Sequence, residues 1–165
     1  MAYKTGSIEP FWDTDFKNYE YTRQAITDAE INEWRTQGYD HKSFTGEMYG
    51  GALPMPDWVY KVADSVGLVN CGFTFYRMLT NDIMPLHVDH FAKYCEVFGV
   101  ERHRVKRCAL FLEDWQSGHY FEISNRAFVN WSAGEWILWD CDEPHFAANI
   151  GTTPRYTLQI TGTYK

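Results

Sequence analysis

From Cys71 to the C-terminus the chain is a run of short alternating segments closed by turns, and few folds accommodate such a run. Phe73, Phe75, Arg77 and Leu79 alternate with Thr74, Tyr76 and Met78. Further strands are expected at Leu86–His90, Val105–Leu112, His119–Ile123, Glu135–Asp140, Phe146–Asn149 and Tyr156–Thr161. Turn residues separate them: Asn81-Asp82, Gln116-Ser117-Gly118, Ala133-Gly134, Asp142-Glu143-Pro144 and Gly151–Pro154. Many short strands with regular turns predict a mainly β sandwich or barrel with helices packed outside. Side chains alternate across a strand, so Leu86 and Val88 face one way and His87 and Asp89 the other. Tyr156, Leu158 and Ile160 form an apolar face opposite Arg155, Thr157 and Gln159. The expectation is a sheet whose apolar side meets helices and whose polar side lines a pocket.

Those helices must come from the first 70 residues, which read as helices and loops bracing the sheet. Thr27-Asp28-Ala29-Glu30 has the form of a capping box opening a helix to about Thr36, with Gly38 behind it. Pro56-Asp57 opens a second helix, Trp58 to about Val66, stopped by Gly67. The stretch between, Gly46 to Pro56, reads as a loop. The whole of 1–165 is expected to form one domain, with 71–165 as its β core.

Composition narrows the partners. The formal charge of −7 opposes phosphate neutralisation, so nucleic acid is not an expected partner. The one basic run, Arg102-His103-Arg104-Val105-Lys106-Arg107, reads as a solvated strand edge. The four cysteines lack C-x-x-C spacing, which argues against a zinc ribbon. There is no signal-peptide pattern and no apolar stretch of membrane-spanning length, so a reduced, cytoplasmic protein without membrane association is expected. At 18% aromatic residues, ring packing should dominate the core.

His87-x-Asp89 offers an imidazole and a carboxylate on one strand face. An open iron(II) site needs two imidazoles and one carboxylate, leaving positions free for other molecules. The third ligand must come from a distant strand, and His145, after the Asp142-Glu143-Pro144 turn, is well placed. His90 should face away from Asp89, and His103 lies in the basic run. His119, at a strand start, is not excluded by spacing.

With these residues in order the chain resembles the iron(II)- and 2-oxoglutarate-dependent dioxygenases. The similarity spans Phe73 to Thr163 and is to small bacterial or phage members related to prolyl and aspartyl/asparaginyl hydroxylases. It rests on His87-x-Asp89, on Ala133-Gly134-Glu135-Trp136-Ile137-Leu138-Trp139-Asp140, on His145-x-x-x-Asn149, and on Arg155-x-Thr157 ten residues after His145. The resemblance implies a double-stranded β-helix, the cupin-like jelly roll. It implies His87, Asp89 and His145 as metal ligands at the catalytic centre, rather than His119. It implies Arg155 and Thr157 as contacts to the far carboxylate of 2-oxoglutarate, with Arg107 and Tyr76 as further contacts and Asn149 orienting the His145 strand. The cofactors implied are Fe(II), 2-oxoglutarate and O2, and the reaction is hydroxylation of a small molecule or a peptide or protein side chain. Trp115, Trp131 and Trp139 are candidate pocket walls, and Phe91–Arg102 and Gln116–His119 candidate substrate loops. The rivals are a non-catalytic cupin-like ligand-binding module and a cupin metalloenzyme that does not use 2-oxoglutarate. Cupins carry His-x-His where this chain has His87-x-Asp89, and Arg155 has no role in either rival. The oligomeric state is not legible at this level.

Overall fold

The computed structural model describes residues 2–165. The N-terminal third departs from the expectation of helices and loops alone. It contributes β1 (Tyr3–Ser7), β2 (Thr22–Arg23) and β3 (Glu47–Gly50), together with helices α1 (Asp28–Thr36) and α2 (Trp58–Val66). Both helices start where the caps placed them. The Thr27 hydroxyl accepts from the Glu30 backbone N–H, and the Glu30 carboxylate reaches back to the Thr27 backbone. Gly67, at φ 85°, ends α2 in the left-handed conformation that glycine adopts without strain.

The remainder forms β4 (Leu68–Met78), β5 (Asp82–His87), a helix α3 (Ala92–Phe98), then β6 (Lys106–Phe111), β7 (His119–Ile123), β8 (Arg126–Phe128), β9 (Glu135–Asp140), β10 (His145–Asn149) and β11 (Arg155–Tyr164). One sheet runs β1-β9-β6-β11-β4-β3-β2 and the other β5-β10-β7-β8. From β4 onward the chain passes repeatedly between the sheets, and neighbouring strands pair antiparallel. This is a jelly roll, the double-stranded β-helix, with three extra strands widening the larger sheet.

The larger sheet buries both faces. On its outer face Phe73, Phe75, Tyr156, Leu158 and Ile160 pack against Phe16 and against Val59, Val62 and Ala63 of α2. On its inner face Tyr76, Phe111, Ile137 and Trp139 meet Met84, Phe121, Ile123 and Ala147 of the smaller sheet, with Trp34 of α1 closing one end. Fully buried side chains such as Phe75 and Leu158 each contribute about 1.5–3 kcal/mol, so these two layers hold the fold. The expected division of faces on β11 is therefore present: its apolar side meets α2, and Arg155, Thr157 and Gln159 face inward.

On β5 the expectation fails. Leu86 is 55% exposed, so the outer face of the smaller sheet is open to solvent there. The pairing explains its position. Ala147 opposes Met84 and His145 opposes His87, so two steps on β10 match three on β5. The extra residue is a bulge containing Pro85 and Leu86, and a bulge in an edge strand accepts a proline that cannot donate to the ladder. It turns His87 to the same inward side as Met84, and both line one pocket.

Two further expectations are corrected. The basic run is no strand edge: Arg102–Arg104 form a 3₁₀ turn, Val105 is fully buried, and β6 begins at Lys106. Phe91–Arg102 contains α3, which lacks a side-chain cap at its start, where Phe91 sits at φ 59°.

Candidate metal centre

His87 ends β5, Asp89 lies two residues beyond it, and His145 opens β10, the neighbouring strand. The register sets His145 directly opposite His87, and their ring centroids are 4.3 Å apart. One ligand atom from each of His87, Asp89 and His145 lies within 4.8 Å of the others. Both Nε2 atoms approach Asp89, His87 at 3.5 Å from Oδ1 and His145 at 3.5 Å from Oδ2.

Backbone carbonyls set the histidine tautomers. The His87 Nδ1–H donates to the Pro85 carbonyl at 2.7 Å, and the His145 Nδ1–H donates to the Glu143 carbonyl at 3.0 Å. A carbonyl only accepts, so each Nδ1 holds the proton and each Nε2 presents a lone pair to the centre. Burial drives the His145 pKa down to about 4, against the pull of Asp89, and keeps the ring neutral at physiological pH. Burial also opposes ionisation of Asp89. The Arg107 guanidinium beside it outweighs this and holds the carboxyl well below the usual carboxylate range. Two imidazoles, each turning Nε2 inward, and an ionised carboxylate on one side of a pocket form a donor set that fits a divalent first-row metal and leaves open positions.

The pocket extends inward to Arg155. This guanidinium is buried and faces an aromatic box, with Phe111, Phe121 and Trp131 ring centroids at 5.9, 6.0 and 5.7 Å. Its Nη1 meets only the Met78 sulfur at 3.1 Å and the Tyr120 carbonyl at 3.4 Å, and its Nε has no hydrogen-bond partner among the described residues. Burial lowers its pKa to about 10, so it remains cationic at neutral pH. Thr157, two residues on and buried, lines the same pocket.

The other expected residues divide. Arg107 lines the pocket, yet its Nε lies 3.3 Å from Asp89 and its Nη1 donates to Gln159 at 3.2 Å. It is thus ion-paired with Asp89 rather than free for another anion. Tyr76 also lines the pocket, but its hydroxyl donates to Gln24 Oε1 at 2.8 Å and accepts from the Gly46 N–H at 2.6 Å. Asn149 ties the far end of β10 down, donating to the carbonyls of Met78 and Thr153 and accepting from the Gly151 N–H. Trp139 lines the pocket and packs 5.0 Å from the His145 ring, whereas Trp115 donates to the His119 carbonyl away from it. His119 pairs with the Thr153 carbonyl and stays outside the cluster, and His90 and His103 are exposed. Gln24 was missed. It reaches the pocket from a segment without periodicity or motif, and the Tyr76–Gly46 chain turns its amide so that Oε1 is used within the protein.

Fold and site together define a β jelly roll with a pocket holding two histidines, an aspartate and a buried arginine. No protein-family model matches the chain, and no curated protein matches it either. Solved structures do. A prolyl-4-hydroxylase from Pseudomonas putida matches over 92% of this chain and 96% of its own, at 14% identity and a TM-score of 0.54. A cupin protein from Bacteroides fragilis matches over 62% and 73%, at 14% identity and TM-score 0.41. A 2OG-Fe(II) oxygenase family oxidoreductase from Burkholderia pseudomallei matches over 61% and 48%, at 16% identity and TM-score 0.42. At such identity the likeness, carried by the hydroxylase, is one of fold. Among the described residues no helix is long and apolar enough to cross a membrane.

Proposed function

We propose that the protein is an iron(II)- and 2-oxoglutarate-dependent oxygenase that hydroxylates a small molecule or a peptide or protein side chain. One observation carries the second half of this reading: Arg155 is a buried cation, without a carboxylate partner among the described residues, in the pocket of the histidines and the aspartate. An isolated charge in an apolar site is strongly disfavoured, so such an arginine is suited to an anionic group brought in from outside.

In this reading His87, Asp89 and His145 hold the metal, with Nε2 of each ring and the carboxylate as donors. Iron(II), when bound there, supplies oxygen activation coupled to oxidative decarboxylation of 2-oxoglutarate. Arg155 receives the distal carboxylate of that co-substrate through its planar fork, and the Thr157 hydroxyl adds a donor from the same strand face. Arg107 keeps Asp89 ionised. Trp139 and the aromatic box exclude water from the centre. The Gln24 amide Nε2, without a hydrogen-bond partner among the described residues, offers a further donor at the pocket wall.

Calorimetric titration of 2-oxoglutarate into manganese(II)-loaded protein tests this. Removing one partner of a buried charge pair costs on the order of 2–5 kcal/mol, or roughly 30- to several-thousand-fold in affinity. Arg155→Ala should therefore abolish 2-oxoglutarate binding at ordinary concentrations while metal binding persists, and Arg155→Lys should recover part of it. Equal binding by wild type and Arg155→Ala, or none by wild type, sinks the co-substrate assignment and favours a cupin-like module.

A further inference from the structure

We infer that Arg102 is a positioning residue of the metal centre: its guanidinium ties the backbone beyond β5, which carries Asp89, to the turn that aims His145. This deepens the metal reading above and rests on it. The β5–β10 ladder ends at the His87–His145 pair, so Asp89 lies where pairing to β10 has stopped. Arg102 takes over at that point. Its Nη2 donates to the Asp89 carbonyl at 3.0 Å and to the Cys141 carbonyl at 3.0 Å. Its Nε donates to the His90 carbonyl at 3.3 Å, and its Nη1 pairs with the Asp142 carboxylate. One side chain therefore joins two ligand-bearing segments that are far apart in sequence.

A second contact between these segments exists, the small cluster of Phe91, Val105 and Cys141. Apolar contact is non-directional, so it keeps the segments together without setting the angle at which Asp89 meets the two rings. Arg107 lies against the Asp89 carboxylate, and the rigid fork of Arg102 fixes the backbone that carries it; a lysine ammonium, a point charge, cannot reproduce that fork. The Asp142 carboxylate is largely exposed, with its side chain 76% accessible, so the carbonyl contacts do the positioning.

Cobalt(II) titration of the metal-free protein, followed by the cobalt absorption bands, tests the assignment. Partners beyond the ligands themselves are worth roughly 10- to 100-fold in metal affinity. Arg102→Gln should weaken cobalt binding by about that factor and shift the bands. Arg102→Lys should fall between Gln and wild type, and Asp142→Asn should stay within a few-fold of wild type. In the metal-free protein, amide exchange at 88–91 and 141–143 should quicken together in Arg102→Gln. Wild-type cobalt affinity and spectrum in Arg102→Gln, whatever its denaturation midpoint, overturn the positioning role alone. Failure of the wild type to bind cobalt overturns the metal reading and this inference with it.

Discussion

At the residue scale the molecule carries two groups whose ionisation opposes its own folding. Arg155 is one. Burying a charge without a carboxylate partner costs desolvation free energy, which an apolar side chain of similar size does not incur. Arg155→Met should thus raise the unfolding free energy of the ligand-free protein in urea, by on the order of 1–3 kcal/mol, while losing 2-oxoglutarate binding. A fall in stability would mean that the guanidinium is satisfied in solution. His145 is the other. Its folded pKa of about 4 lies below the 6.5 of an ordinary histidine, so the unfolded chain binds the proton first as pH falls. The stability linked to this group is complete above about pH 6.5 and lost on the way down to pH 4, by on the order of 3 kcal/mol. Urea midpoints of metal-free wild type and His145→Gln between pH 7.5 and 4.5 should show the shallower slope in the variant.

At the scale of elements, turns decide how the ligand strands are held. Gly118, at φ 90°, sits where a Cβ would strike the backbone of Gly151, and the Ile150 N–H donates to the Gly118 carbonyl. The two turns at this end of β7 and β10 thus lie against each other. Gly118→Ala adds left-handed strain to a steric clash and should cost at least about 2 kcal/mol in denaturant unfolding. Glycine there was legible in the sequence as a turn, as were the two caps, the alternation of β11 and the His87-x-Asp89 pair. What escaped has physical causes. β2 is two residues long, β3 lies among glycines and prolines, and β1 is a polar edge strand, so none shows an alternating apolar face. α3 buries no side chain fully, so its sequence lacks an amphipathic stripe. The bulge at Pro85 and Leu86 changes which face a residue takes, and no period reports that. Arg102 resembled a solvated charge because its partners are mostly backbone carbonyls, which sequence does not distinguish.

At the scale of the whole molecule, the two cores lie on either side of the larger sheet and neither contains the triad's donors, so folding does not await a metal. Chelator treatment should leave the far-ultraviolet circular dichroism unchanged. Metal at 100 times its dissociation constant should add about 2.7 kcal/mol. For a chain of this size that raises the melting temperature by roughly 5–10 °C. His87→Ala should fold and lose that increment.

The triad sits on and just beyond strands of one sheet, and Arg155 on a strand of the other. In the proposed reading, a molecule held at both ends must therefore bridge what these side chains leave of the gap, which in stacked sheets is about 10 Å between backbones. In the reading proposed above, the sandwich acts as a caliper whose jaws are side-chain tips carried on two packed backbone layers. A keto diacid one methylene shorter than 2-oxoglutarate would engage one jaw or the other. Selection by chain length would then be a property of the architecture, unchanged by mutations at the pocket rim that alter which substrate is admitted.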